Sequence, residues 1–473
     1  MWHLLRNAEN SPSQRERAGL NFIQNHRPFL RPYQQQKNFE TSMINSNWLD
    51  SAIDFQNLSA FRKHSKMSCI FIISTATVLF FSAHLCASTV GIATGKATID
   101  GRPLLFKNKD RTDNFPSDVN FYQAGSGEYS YVFQQNDGQD HTRARMGLNS
   151  VGFGIVYTTS ENLAGAASGP TGSELCAVAL KSCSTLEHFR NLLDSTNGKR
   201  QVHEHYAVID SSGAGAMFEV DGTTWVGIAI VDSIGTMANT AKFHPSAGPP
   251  ASKSTSPDRE ARAEYLLTHG PEAGLDYQYF IEEIIKDYCR TQSDENLMPV
   301  GQYYTNPVLS RFKTAAGGVI RGVKPGDDPL CTGIMWLGLS EPSLTVILPF
   351  FSCTGEVPDF IRSSAAGQGM AGSSDRVRQM IYDYTYGRYV DFYADTYTLE
   401  NVRYRTAIIQ DSLFQSYERS LPIWLTLTPE EATVQMKNWM QGMHQWAKDQ
   451  YDLIPAFISV SRKSTPLIKN YVH

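Results

Sequence analysis

Apolar and polar positions alternate with a period of two over most of residues 88–232, and that period predicts strands. Ser88-Thr89-Val90-Gly91-Ile92-Ala93-Thr94 alternates. An Asp100-Gly101 turn then leads into an apolar run that ends at Lys107-Asn108-Lys109-Asp110, which is a hairpin signal. Residues 128–149 repeat the layout with Asn136-Asp137-Gly138 at the tip, 151–159 read as a buried strand, and 205–229 as a hairpin or meander. Between them, residues 176–193 carry apolar positions at helical spacing, interrupted where Ser184 is a candidate cap and Glu187 completes its capping box. Residues 256–269 and 276–289 read as amphipathic helices, the first with Ser256 as cap and Pro257 in its first turn. Strand patterns return at 317–329 and 332–351. Beyond about residue 365 the chain reads as helical and rich in aromatics, with Tyr382, Tyr384, Tyr386, Tyr389, Phe392 and Tyr393 expected to pack between helices. Strands, then helices, then strands predict sheets covered by helices.

One apolar run breaks this pattern. Cys69 to Phe81 has the length of a signal-peptide core, follows Arg62, Lys63 and Lys66, and ends near the small residue Ala87. It is too short for a comfortable membrane span. Residues 67–87 are therefore expected to be a signal peptide, with the protein exported and touching a membrane only through that segment. Residues 1–66 are rich in Asn, Gln, Arg and Ser and lack periodicity; Met67 is expected to be the natural start, with a genuine disordered leader as the alternative. Net charge is −5 and no basic run with interleaved aromatics follows residue 66, which argues against nucleic acid as a partner. Of seven cysteines, Cys69 and Cys86 lie in or beside the signal; the other five allow two disulfides at most and contain no C-x-x-C pair.

Removal of a signal peptide creates an α-amine, which titrates near neutrality. A Ser or Cys at that new terminus can be nucleophile and base in one residue. The strand, the Gly-rich turn and the polar cluster that follow fit such an N-terminal nucleophile (Ntn) arrangement. Other chemistries lack support. His203-Glu204-His205 has no third ligand at recognisable spacing, so no metal is expected, and there is no G-x-S-x-G elbow.

Successive blocks then carry a resemblance: residues 88–110, 147–163, 169–193, 206–222, Met237 to Phe243 with 256–267, and 318–351. In that order they resemble the isopenicillin-N acyltransferase-like (peptidase C45) branch of the Ntn hydrolases, related to choloylglycine hydrolases and penicillin V acylases. The resemblance implies an α+β fold, a four-layer αββα sandwich over 88–365 with a helical extension over 366–473. It also implies hydrolysis or transfer of a linear amide from a small-molecule substrate through an acyl-enzyme, without a cofactor. The family begins with Cys-Thr, and its register falls on Ser88-Thr89, with Cys86 the rival nucleophile. Cleavage after Ala87 suits Ser88; the family's preference suits Cys86. The resemblance gives Asp110 the role of orienting the amine, places Lys107 and Asn108 by the substrate, and puts Asn149 and Asn239 near the scissile carbonyl. It places Arg259 in the site too, with Arg262 as its rival on the same helix. The competing class is an exported protein of this fold that has lost catalysis and binds a small acyl ligand.

Overall fold

The computed structural model describes residues 88–110, 116–252, 254–289, 301–362, 369–385 and 388–464. The leader, the signal segment and Cys86 lie outside them. β1 (Ser88–Gly95) and β2 (Gly101–Asp110) form the hairpin that the Asp-Gly signal predicts. Gly101 takes φ +76° at the turn, a backbone state in which a side chain is strained. The chain then builds a second sheet from β3 (Ser117–Tyr122), β4 (Tyr131–Asn136), β5 (Met146–Asn149) and β6 (Gly154–Thr159). Two helices follow, α1 (Gly172–Ser182) and α2 (Leu186–Ser195). β7 (Glu204–Ile209), β8 (Gly215–Val220) and β9 (Trp225–Ile230) complete seven antiparallel strands in chain order.

β10 (Ile234–Met237) returns to the first sheet beside β1. Then come α3 (Ser256–Thr268) and α4 (Tyr277–Tyr279), the latter running on as a π-helix over Phe280–Ile285. After β11 (Gln302–Tyr304), β12 (Thr314–Arg321), α5 (Pro329–Thr332), β13 (Ile334–Gly338) and β14 (Leu348–Phe350) finish the six-stranded order β10-β1-β2-β12-β13-β14. The two sheets face one another through Val90, Ile92 and Leu105 on one side and Val156, Ala207, Ile209 and Met217 on the other. α1 and α2 close the outer face of the second sheet over Tyr206, Phe189 and Phe218. α3 and the π-helix lie on the outer face of the first. The result is an αββα sandwich, as expected. Each fully buried large apolar side chain in these layers contributes about 1.5–3 kcal/mol.

Two local expectations change. α2 is capped by Thr185, which accepts from the His188 amide, and not by Ser184; one residue of shift places the hydroxyl at the free N–H groups. α3 begins at Ser256, with Thr255 in the cap position, so the Ser256 hydroxyl is free for another task.

The region beyond 365 is not purely helical. α6 (Gly369–Ile381) is followed by β15 (Tyr382–Thr385) and β16 (Arg388–Asp395), which join β11 in a three-stranded sheet. Of the aromatic cluster, Tyr382, Tyr384, Tyr389, Phe392 and Tyr393 therefore lie on paired strands, and Tyr386 lies outside the described residues. Tyr and Phe favour a pleated, half-buried surface, which outweighs the helical reading. α7 (Thr396–Trp424), α8 (Pro429–Asp452) and α9 (Ile454–Ser464) are the helices expected there. α7 lays Phe414 and Tyr417 edge-on against Trp336 of β13, whose other ring contact is Tyr277. The C-terminal region thus closes the first sheet's outer face.

Candidate active site

The β1–β2 register decides which side chains share the space beside Ser88. Ser88 lies opposite Lys109, Thr89 opposite Asn108, and Val90 opposite Lys107. Cross-strand partners project to the same face, so Ser88, Val90, Lys107 and Lys109 point between the sheets, while Thr89 and Asn108 point toward the helices. Ser88 is buried at the start of β1, paired with Lys109 of β2 on one side, while the β1–β10 pairing begins only at Val90.

Asn239 sits two residues past the end of β10 and anchors Ser88. Its Oδ1 accepts the Ser88 amide at 2.9 Å and an Arg259 Nη2 hydrogen at 2.7 Å. Its Nδ2 donates to Thr158 Oγ1 at 2.8 Å and to the Thr159 carbonyl at 2.7 Å. Its own N–H donates to Ser256 Oγ, which explains the hydroxyl left free at the start of α3. With both amide hydrogens engaged, Asn239 is built to hold the Ser88 nitrogen through its oxygen. It does not present a donor to a carbonyl.

Arg259, on the first turns of α3, ties the cluster together. Nη1 donates to the Ser88 carbonyl at 2.7 Å and to Thr89 Oγ1 at 2.5 Å; Nε reaches Thr255 Oγ1 at 3.4 Å. Among the described residues every hydrogen-bond acceptor of this buried guanidinium is neutral. Burial and the neighbouring Arg311 pull its pKa down to about 9. An ion taken out of water without a paired counter-charge costs several kcal/mol, so this position carries stored electrostatic potential aimed at residue 88.

Asp110 joins from behind. Arg311 grips it with Nε at 2.8 Å and Nη2 at 2.6 Å, and Thr314 Oγ1 donates to its other oxygen at 2.8 Å. Arg311 Nη1 also meets Thr255 Oγ1 at 3.0 Å, the same hydroxyl that Arg259 uses. A continuous path therefore runs Asp110–Arg311–Thr255–Arg259–Ser88. The sequence gives Arg311, Thr314, Thr158 and Thr255 no role in the site, and it marks Ser256 only as a helix cap. Each is a common residue in no motif, and only the fold brings them together.

Three candidates stand elsewhere. Asn149 spends both amide hydrogens on the Leu180 and Cys183 carbonyls at the end of α1, while its oxygen accepts from the Val151 and Phe153 amides. It is a turn and helix-end brace, not a donor to substrate. Asn108 points to the helix layer and donates to the Ile285 and Leu309 carbonyls, which removes it from substrate binding. Arg262 makes a two-point ion pair with Asp287, at 3.1 and 2.7 Å, so Arg259 alone of the two arginines reaches Ser88. Lys107 does face between the sheets; its Nζ donates to the Arg145 carbonyl at 3.0 Å and lies 4.5 Å from the Tyr157 ring centre.

No grouping of His, Cys, Asp and Glu that could hold a metal occurs among the described residues. His203-Glu204-His205 is split accordingly. His203 Nδ1 meets the Ser160 carbonyl, His205 Nδ1 the Ala238 carbonyl, and Glu204 packs under Gly172 of α1.

No family model and no curated protein matches the chain. Solved structures similar in trace include a variant of conjugated bile acid hydrolase from Clostridium perfringens, at 12% identity and TM-score 0.38, covering 55% of this chain and 92% of that one. Penicillin V acylase from Agrobacterium tumefaciens is similar at 16% identity and TM-score 0.36, covering 56% and 86%. The Caenorhabditis elegans ortholog of N-acylethanolamine-hydrolyzing acid amidase is similar at 11% and 0.34, covering 50% and 94%. The function proposed below rests on the geometry around Ser88.

Proposed function

We propose that the protein is an exported N-terminal nucleophile amidohydrolase of the peptidase C45-like type, with Ser88 as its mature first residue. The observation that carries this reading is the Ser88 nitrogen held 2.9 Å from Asn239 Oδ1, with Arg259 bonded to the same oxygen and to the Ser88 carbonyl. An ordinary strand residue has no need of a dedicated side-chain acceptor for its nitrogen and a buried cation on its carbonyl. An amine that must present a lone pair has need of both.

Cleavage after Ala87 would turn the held nitrogen into an α-amine. Asn239 would keep one N–H and so fix the direction of the lone pair. The Arg259 charge would disfavour the ammonium form and keep the amine a base near neutral pH. The amine accepts the Ser88 Oγ proton as Oγ bonds to the amide carbon. The proton then passes to the leaving nitrogen as the C–N bond breaks, leaving an ester on Ser88. Water attacks that ester and gives a proton to the amine; the amine returns it to Oγ as the C–Oγ bond breaks, which releases the carboxylic acid and restores Ser88. Asp110, neutralised by Arg311, would support this scaffold without raising the amine's pKa.

The test is a mature protein beginning at Ser88, assayed against a ladder of acyl-4-nitroanilides for release of nitroaniline. Turnover is expected from the mature form and none from a form with Gly inserted before Ser88. N-terminal sequencing of the exported protein must give Ser; a Cys86 terminus with activity silenced by iodoacetamide refutes the assignment of Ser88.

A further inference from the structure

The histidines of the sequence His203-Glu204-His205 bind no metal in the reading above, yet His205 is wholly buried. It lies on β7 directly opposite Glu219 of β8, so the two side chains share the face turned toward the first sheet. His205 Nδ1 is 2.8 Å from the carbonyl of Ala238, the residue just before Asn239. The Glu219 carboxylate accepts the three successive backbone amides of Lys242, Phe243 and His244, at 2.7, 2.8 and 2.6 Å. Neighbouring side chains of one strand pair thus grip both ends of the segment 238–244. Asn239 is inside that grip.

From this geometry we infer that His205 is a positioning residue. Its Nδ1–H, acting with Glu219, fixes the height of Asn239 Oδ1 under the Ser88 nitrogen. The inference rests on the reading of Ser88 given above. A carbonyl can only accept, so the proton must be on Nδ1, and the ring must be the neutral Nδ1–H tautomer or the cation. Nε2 has no partner in the closed interior, which leaves a second proton without an acceptor. Burial pushes the ring pKa down, against the opposing pull of Glu219 and Glu161; His203 nearby adds to the downward push. Burial and the unpartnered Nε2 thus favour the neutral Nδ1–H donor. Histidine serves where a hydroxyl is too short to cross from β7 to the strap.

Ring-15N-histidine labelling of the mature protein reads the tautomer directly. His205 is expected to be protonated at Nδ1; an Nε2–H tautomer overturns the inference. In the nitroanilide assay, His205→Leu is expected to lower kcat about 10- to 50-fold with KM within about twofold, since small displacements of reacting groups cost that much. His205→Asn, whose Nδ2 can stand near the Nδ1 position, is expected to stay within about threefold of the parent. An unchanged kcat in His205→Leu overturns the inference, as does an equal loss in both variants. If His205→Leu does not fold, Glu219→Gln tests the same grip through kcat, and an unchanged kcat there is equally fatal. A parent protein inert to every anilide sinks the reading of Ser88 and this inference with it. An active parent with unaffected variants sinks only the inference.

Discussion

β2 ends in an arginine–carboxylate network at each extremity, and the two networks are built on opposite principles. At the hairpin end, Arg102 holds Asp327 with Nε and Nη2, each at 2.7 Å, and Asp100 with Nη1 at 2.8 Å; Arg321 adds a second bond to Asp100 at 2.9 Å. Burial pulls the Arg102 pKa down, but bonds to Asp327 and Asp100 more than offset it, and the net shift is upward. At the Ser88 end, burial and Arg311 pull Arg259 down to about 9 against the longer-range pull of Asp110, Glu161 and Glu260, and its hydrogen-bond acceptors among the described residues are neutral oxygens. The first network is satisfied and structural. The second keeps a buried cation with no carboxylate among its hydrogen-bond acceptors beside residue 88, where the amine proposed above would feel it.

The sharpest way to break the comparison is at Ser88 itself. Ser88→Ala in the mature protein should abolish nitroanilide turnover, a loss of at least about 10³-fold, since removing a nucleophile leaves only binding and electrostatics. Its melting temperature should stay close to the parent's. A residual rate within tenfold of the parent would mean that another group attacks.

Arg259 and Arg102 are the next test, because the two ends should respond in different currencies. Arg259→Met is expected to lower kcat/KM about 10²-fold and to move the acid limb of the pH–rate profile to higher pH, since the amine loses the neighbouring cation that disfavours its protonation. Arg102→Met should leave the rate unchanged and cost about 1–2 kcal/mol of stability, since it breaks charged hydrogen bonds that are only partly buried and Asp100 keeps Arg321. Urea unfolding beside the pH profile separates them. A rate loss in Arg102→Met, or an unshifted limb in Arg259→Met, would erase the distinction.

How much of this was legible beforehand depends on the range of the forces involved. The β1–β2 hairpin, the β7–β8–β9 meander and the helix over 256–268 were readable because turn chemistry and periodicity act over a few residues. The strands Tyr382–Thr385 and Arg388–Asp395 read as helix because long helices follow them and irregularly spaced tyrosines carry little face information. Ser88, Asp110, Asn239 and Arg259 were named from a resemblance, and the fold joins them in one network. Asn149 and Asn108 were named the same way and proved to be braces. A sequence block places a residue near a strand end; only the cross-strand register decides which face it takes. Arg311 was invisible, since its meaning comes wholly from the carboxylate of Asp110, 201 positions away.

A pH scan of stability sharpens the comparison further. Asp100 and Asp327 have pKa values below their ordinary 3.8, so the stability they supply is full above about pH 4 and fades only below it. The hairpin-end network should therefore be silent in mild acid. His444 on α8 behaves in the opposite range. Wholly buried, with Nε2 at 2.7 Å from the Pro349 carbonyl, it is held down to about 4 by burial. Below pH 6.5 the unfolded chain gains a proton that the folded chain refuses, so stability falls as the pH drops from 6.5 to 4. The full loss is about 3 kcal/mol by proton linkage. His444→Gln should reduce that slope by its own share, because the buried His205, also held below its ordinary value, contributes in the same direction. A slope that persists in His444→Gln and vanishes in Arg102→Met would transfer the acid sensitivity to the hairpin end.

The smallest effect concerns the turn that starts β2. Gly101 sits at φ +76° with open space where a Cβ would be, the nearest atom being Lys324 Cδ at 3.9 Å. Substitution there meets no clash and is opposed only by the left-handed backbone, so Gly101→Ala should cost about 1–2 kcal/mol. Gly101→Asn should cost less, because asparagine tolerates that conformation. Neither change should alter kcat, as the turn is the far end of β2 from Ser88. A Gly101 variant that unfolds normally yet loses turnover would show that strain at the hairpin reaches the nucleophile along β1 and β2. The two ends of the strand pair would then be one mechanical unit, and the division between a structural and a reactive network would fail.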